Sequence, residues 1–239
     1  MSIDDAPRVG GNKEFADQLN IRERRRYPDV SGDKRLYGAL NDALGAMTAS
    51  GPDADKDYSR ALDQLKDDRE FVILVFKTLE AVEESAYHER WALLQLAIDL
   101  QHPAAGEYLS EFVRRPIPEE RAVDTAHGVS TVTEEVILRT TAIEGLARLF
   151  RRDFDATHVL LEVAGSSDYV AMRRAAWFAL VDGGRDDALG RARELLKKSD
   201  YGWIADLKRT PVQEAEQQDP RLVYPEKRQR GKIPPPFNE

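Results

Sequence analysis

The chain contains no cysteine, which excludes disulfides and thiolate-held metal. It contains no apolar run approaching the ~20 residues of a bilayer-spanning helix. Its first residues, Met1-Ser2-Ile3-Asp4-Asp5, supply neither the basic start nor the apolar core of a secretory signal. A soluble cytoplasmic protein is the expectation. Glycine-rich phosphate loops are missing too, because Gly10-Gly11 and Gly183-Gly184 lack the flanking residues and the preceding strand. Of four histidines, His102, His127 and His158 have no ligand spacing, and no serine or histidine constellation suited to nucleophilic catalysis is visible. These absences point away from an enzyme and from any cofactor or metal.

Charge, by contrast, is plentiful. Charged residues make up 33% of the 239 positions and hydrophobic ones 41%. That balance is more charged and less apolar than an average globular chain, as expected of a thin, elongated fold with polar tails. The net charge of -8 is unevenly placed. Residues 1–34 hold seven acidic and seven basic side chains, and residues 206–239 hold six and seven, so residues 35–205 carry -9. An acidic body repels nucleic acid and anionic membranes, which bind through Lys and Arg. The basic clusters Arg22, Arg24, Arg25, Arg26 and Lys227, Arg228, Arg230, Lys232 lie in the flanks.

Helical periodicity fills the body. Residues 12–26 can form a short helix with Phe15 and Leu19 on one face, closed by Tyr27-Pro28. Asp33 is a plausible N-cap for a helix carrying Leu36, Tyr37, Leu40, Leu44 and Met47, which Ser50-Gly51-Pro52 stops. Asp53 or Asp55 opens the next, with Tyr58, Leu62 and Leu65 on one side. Phe71-Val72-Ile73-Leu74-Val75-Phe76 has strand-like composition. No second strand candidate exists to pair with it, and the pattern continues through Leu79 and Val82, so a helix capped by Asp68 is predicted. A helix from His88 to Leu100 follows, then one opened by Pro103 that buries Tyr108, Leu109, Phe112 and Val113.

Residues 115–130, with Pro116, Pro118 and Gly128, form a long connection, a feature often functional or mobile. Thr131 and Glu134 have capping-box spacing ahead of Leu138, Ala142, Leu146 and Leu149. Asp155 and Asp168 are the expected caps of the next two helices. Gly165 ends the first of these, and Gly183-Gly184 ends the second. Asp186 or Asp187 starts a helix with Leu189, Ala192, Leu195 and Leu196, and residues 201–207 form a short terminal one. Beyond Pro211 the chain is polar and ends in a polyproline-like Ile233-Pro234-Pro235-Pro236-Phe237.

Two stretches align without gaps at an offset of 34 residues: Val136 to Leu146 on Val170 to Leu180. They share Val, Arg, Ala and Leu at matching places. A period of this size suits two short helices and two turns, the signature of a stacked helical array. The stretch Ser167-Asp168-Tyr169-Val170-Ala171-Met172-Arg173-Arg174-Ala175-Ala176 resembles HEAT and armadillo-type repeats. The likeness covers residues 86–200 well and 35–85 by helix pattern alone. Two residues separate Val170 from Arg173, a small departure from the usual Val-Arg pair. The resemblance implies an all-α, HEAT-like α-solenoid of stacked antiparallel helix pairs, which usually binds proteins. The organisation then reads as an N-terminal arm over 1–32, a repeat domain over 33–207 and an extended tail over 208–239, with both tails flexible.

Resemblance also suggests sharper readings. HEAT-like deoxyhypusine hydroxylases bind a di-iron centre through several His-Glu pairs, but here His88-Glu89 stands alone and cannot complete a two-metal site. HEAT-like alkylpurine DNA glycosylases line a basic groove with Trp, a carboxylate and Arg. Trp91, Trp177 and Trp203 invite comparison, although the acidic body favours their filling helix interfaces. Arg139, Arg173 and Arg174 could form a stripe, or pair with acids such as Asp153 and Asp168 as in HEAT-like stacks.

The function expected is a non-enzymatic adaptor or scaffold that binds another macromolecule, most readily a protein. A nucleic-acid-associated protein of the glycosylase type and an assembly subunit docked by its tails are the alternatives. Candidate partner-binding residues are Arg22, Arg24, Arg25, Arg26, Leu222, Tyr224, Lys227, Arg228, Arg230 and Phe237, in the flanks. Apolar clusters beside basic residues, stiffened by proline, can enter a partner's groove at low entropic cost. Deleting residues 212–239 should therefore leave the melting temperature almost unchanged while weakening partner capture. Unfolding on truncation would place that segment in the core.

Overall fold

The computed structural model describes residues 27–51, 53–121, 130–152 and 154–209. Among these, nine α-helices and one terminal 3₁₀ turn account for the regular structure, with no strand. The helices are α1 (Lys34–Thr48), α2 (Ala54–Leu65), α3 (Arg69–Ala81), α4 (Tyr87–Leu100) and α5 (Ala105–Arg114), followed by α6 (Thr131–Phe150), α7 (Thr157–Ser166), α8 (Val170–Gly183) and α9 (Asp186–Lys197). The 3₁₀ turn spans Gly202–Asp206. No described helix is long and apolar enough to cross a membrane.

Local chemistry sets many of the boundaries. Asp33 accepts from the amides of Arg35 and Leu36 to open α1, and Asp68 accepts from Phe71 N–H at 3.0 Å to open α3. Phe71–Phe76 is thus helical, as its unpaired state required. Asp155 accepts from Thr157 N–H at 3.1 Å at the start of α7. Gly184 closes α8 at φ 64°, the left-handed conformation glycine adopts without strain.

Other caps differ from expectation. The N-cap of α6 is Ser130, whose hydroxyl accepts from Thr133 N–H, while Glu120 accepts from Thr131 N–H at 2.9 Å. The Thr131–Glu134 box is not formed, because an acid from the preceding connection already covers that helix end. Asp168 does not cap α8; the Ser167 hydroxyl accepts from Tyr169 N–H instead. Pro103 lies just before α5, and Gly165 lies inside α7.

Packing follows one rule throughout. Consecutive helices form the pairs α1/α2, α3/α4, α5/α6 and α7/α8, and α9 packs on the 3₁₀ turn. Each helix also touches the next-but-one, so α2, α4, α6 and α8 make one row and α1, α3, α5, α7 and α9 the other. A helix flanked on several sides must be apolar around much of its circumference. Accordingly α4 buries Ala92, Leu93, Leu94, Leu96, Ala97, Ile98 and Leu100, whereas the peripheral α2 buries no residue fully.

The internal repeat has a physical counterpart. Leu138 and Met172, Ala142 and Ala176, Ile143 and Trp177, and Leu146 and Leu180 are buried at equivalent places on α6 and α8. Gly145 lets α6 approach α4, since a Cβ there would lie 2.6 Å from Ile98 Cγ1. Asp99 on α4 ties three helices together. It accepts from Tyr58 of α2 at 3.1 Å, Arg148 of α6 at 2.9 Å and Gln95 of its own helix at 2.8 Å. Burial, reinforced by the Asp99 charge, pushes the Tyr58 phenol up, so it remains a donor.

Ala142→Asp and Ala176→Asp should each destabilise the fold severely. Both side chains are fully buried in the α4–α6–α8 row, and an unpaired buried carboxylate costs several kcal/mol, about the margin of a small domain. Wild-type melting temperatures for both variants would show that the repeat register is wrong.

Candidate functional site

Among the described residues, a concavity lies where α3, α4, α5 and α6 meet beneath the first residues of the α5–α6 connection. It is a cleft of about 670 Å³. Phe76 of α3 stacks on Tyr108 of α5 with ring centroids 4.8 Å apart, giving one flat apolar wall. Pro116, Ile117 and Pro118 form the lip. Proline here holds the chain extended directly after α5.

The floor is charged and nearly closed to solvent. Arg90 of α4, Glu135 of α6 and Arg139 of α6 are 7%, 3% and 3% exposed. Arg90 donates to Glu135 Oε1 and to the Glu84 carbonyl, the latter at 3.1 Å. Arg139 Nη1 faces Glu135 Oε2 at 3.0 Å as an ion pair without hydrogen-bond alignment. The Arg139 guanidinium lies over the Phe112 ring, 4.0 Å from its centroid. Among the described residues, its buried Nε has no hydrogen-bond acceptor. Burial pushes Arg139 down to about 10 against the pull of Glu135, with Arg90 adding to the depression, so it stays charged at neutral pH.

Among the described residues, two guanidiniums therefore share one carboxylate, leaving one excess positive charge on the floor. The rim is arranged differently. Arg115 bonds Glu80 at 2.7 Å and Glu111 at 2.9 Å, and these bonds push it up. Arg121 bonds Glu84 and holds that carboxyl below its usual range. Among the described residues the rim's two arginines thus meet three glutamates, so the excess negative charge lies in the open and the excess positive charge underneath.

A comparison inside the molecule shows why Arg139 is unusual. Its counterpart in the repeat is Arg173 on α8. Arg173 donates to the carbonyls of Ala164 and Gly165 at 3.0 and 2.9 Å and to that of Ser167, satisfying the C-terminal end of α7. It also lies over the Tyr201 ring at 4.6 Å. Only Ser167, Asp168 and Tyr169 separate α7 from α8, so the last carbonyls of α7 lie beneath that arginine. Between α5 and α6 the connection runs from 115 to 130, and Arg139 meets the Phe112 ring and Glu135 instead.

Sequence reasoning expected Arg139 and Arg173 to pair with aspartates. Arg139 takes a glutamate one turn back and Arg173 takes carbonyls, while Arg174 is exposed. Trp177 fills the interior at 2% exposure, but Trp91 and Trp203 are 39% and 50% exposed and do not fill interfaces. His88 is exposed beside Tyr87. The flank candidates Arg22, Arg24, Arg25, Arg26, Leu222, Tyr224, Lys227, Arg228, Arg230 and Phe237 lie outside the described residues. The cleft was missed because its parts come from four helices. Its one sequence signal was the long proline-bearing connection.

Breaking this buried set from its two ends should give opposite results. Arg139→Met leaves a balanced Arg90–Glu135 pair and should keep or raise the melting temperature. Glu135→Ala strands two buried cations and should cost about 3–5 kcal/mol, the usual penalty for breaking a buried pair. Chemical denaturation of both variants checks this, and equal losses would place the groups in water. The chain matches no family model, no curated protein and no solved structure.

Proposed function

We propose that this protein is a non-enzymatic binding scaffold, a HEAT-like α-solenoid that takes up a segment of a partner protein in the α3–α6 cleft. The single observation that carries the reading is a cleft walled by aromatic and aliphatic side chains over a buried, unbalanced charge. Such sites, apolar with a few placed polar groups, are where proteins hold ligands. The alternating contacts between each helix and the next-but-one support the solenoid reading, because stacked repeats contact only their neighbours. The acidic body between residues 35 and 205 favours a protein over nucleic acid.

Selection from a random peptide library on the full-length chain tests this. Sequences should emerge that bind the wild type and lose at least about tenfold in affinity for Ile117→Asp, which puts a carboxylate in the cleft mouth. Ile117 sits in a connection, so the variant should keep its helical circular dichroism. A selection that yields no peptide sensitive to this change removes the cleft as the recognition site.

A further inference from the structure

We infer that the cleft recognises a monoanionic carboxylate carried on an apolar body, with Arg139 as its cationic anchor. The inference rests on reading the cleft as the recognition site and supplies the chemistry of what enters it. Three observations converge. Among the described residues, the floor holds one positive charge more than it neutralises, in a nearly dry environment where such a charge is expensive to leave unmatched. Arg139 lines the cleft, and its buried Nε has no acceptor among the described residues, while Nη1 is engaged with Glu135. The sister residue Arg173 donates from Nε and Nη1 to three carbonyls, whereas among the described residues Arg139 Nε meets none.

The same charges set the ligand's valence. One carboxylate balances the floor. A dianion such as a phosphomonoester would leave an excess negative charge on the floor beside Glu135, with Glu80, Glu84 and Arg115 also at the cleft. Planar two-oxygen acceptors suit a guanidinium fork. The Phe76–Tyr108 stack and Ile117 provide the apolar contact that the ligand's body needs. In a protein segment this describes an acidic side chain next to a large apolar one; a free aromatic or aliphatic acid offers the same chemistry.

The test is an NMR titration of the full-length protein with 3-phenylpropionate, its amide 3-phenylpropanamide, and dianionic phenyl phosphate. The capped tripeptide Phe-Glu-Leu and its Phe-Gln-Leu counterpart form the second arm. The acid should bind at least about tenfold more tightly than the amide, the worth of one charge-assisted hydrogen bond. Phenyl phosphate should bind more weakly than the acid. Arg139→Met should erase the acid-over-amide preference while keeping its fold, and exposed Arg174→Met should leave it intact. Tighter binding of the Glu tripeptide than of the free acid supports a protein segment as the source. Binding of the free acid with neither peptide keeps the carboxylate inference and overturns the protein-segment reading of the function. Equal binding of acid and amide, preference for the dianion, an unchanged preference in Arg139→Met, or no binding by any probe overturns the inference. Library peptides that bind at the cleft without an acidic residue would overturn it while leaving the scaffold reading standing.

Discussion

Close approach along the α4–α6–α8 row is the constraint on which the rest of this structure depends. Each helix of that row is covered by its own partner and by its neighbours in the row, so its side chains must be small or apolar on several faces. Ala142 and Ala176 are fully buried there, and Gly145 yields to Ile98. Packing at interior density leaves little freedom for volume change at such contacts. At the end of this same row, α2 holds on with half-buried Tyr58, Leu62 and Leu65.

Within that tight frame, the charged floor of the cleft is an exception. Three ionised side chains are set where apolar residues of similar volume would serve stability as well or better. Arg90 also serves the chain by donating to the Glu84 carbonyl at the α3–α4 turn. Among the described residues, Arg139 donates to no backbone carbonyl. Its sister Arg173 closes a helix end, and the contrast follows from connection length: three residues before α8 against sixteen before α6. A long connection thus removes an arginine from structural work and supplies Pro116, Ile117 and Pro118 as the lip of a recess.

Much of the helix order was legible in the chain because it is encoded locally. Asp33, Asp68 and Asp155 sit within three residues of the amides they accept from, and apolar spacing marks the buried faces. The 34-residue offset placed α6 against α8 correctly down to matched buried positions. Caps were misplaced where a distant residue competes, as Glu120 does at α6. The partners of Arg139 were misassigned for a related reason. Family habit suggested an aspartate across the repeat, while the nearest acid is Glu135, one turn back on the same helix. The cleft itself was not legible, since Phe76, Arg90, Tyr108 and Glu135 meet only after four helices are packed.

The carboxylate of Asp99 bears on how such an array comes apart. Packed helices open locally with an energy set by the contacts each one makes. A terminal helix with no fully buried residue, such as α2, would be the first to open. Asp99 opposes this by holding Tyr58 of α2 and Arg148 of α6 on a single acceptor group. Loss of α2 would leave that carboxylate and its arginine partner more open to water, loosening the α4–α6 contact as well. One carboxylate thus joins the marginally buried α2 to the interior contact between α4 and α6.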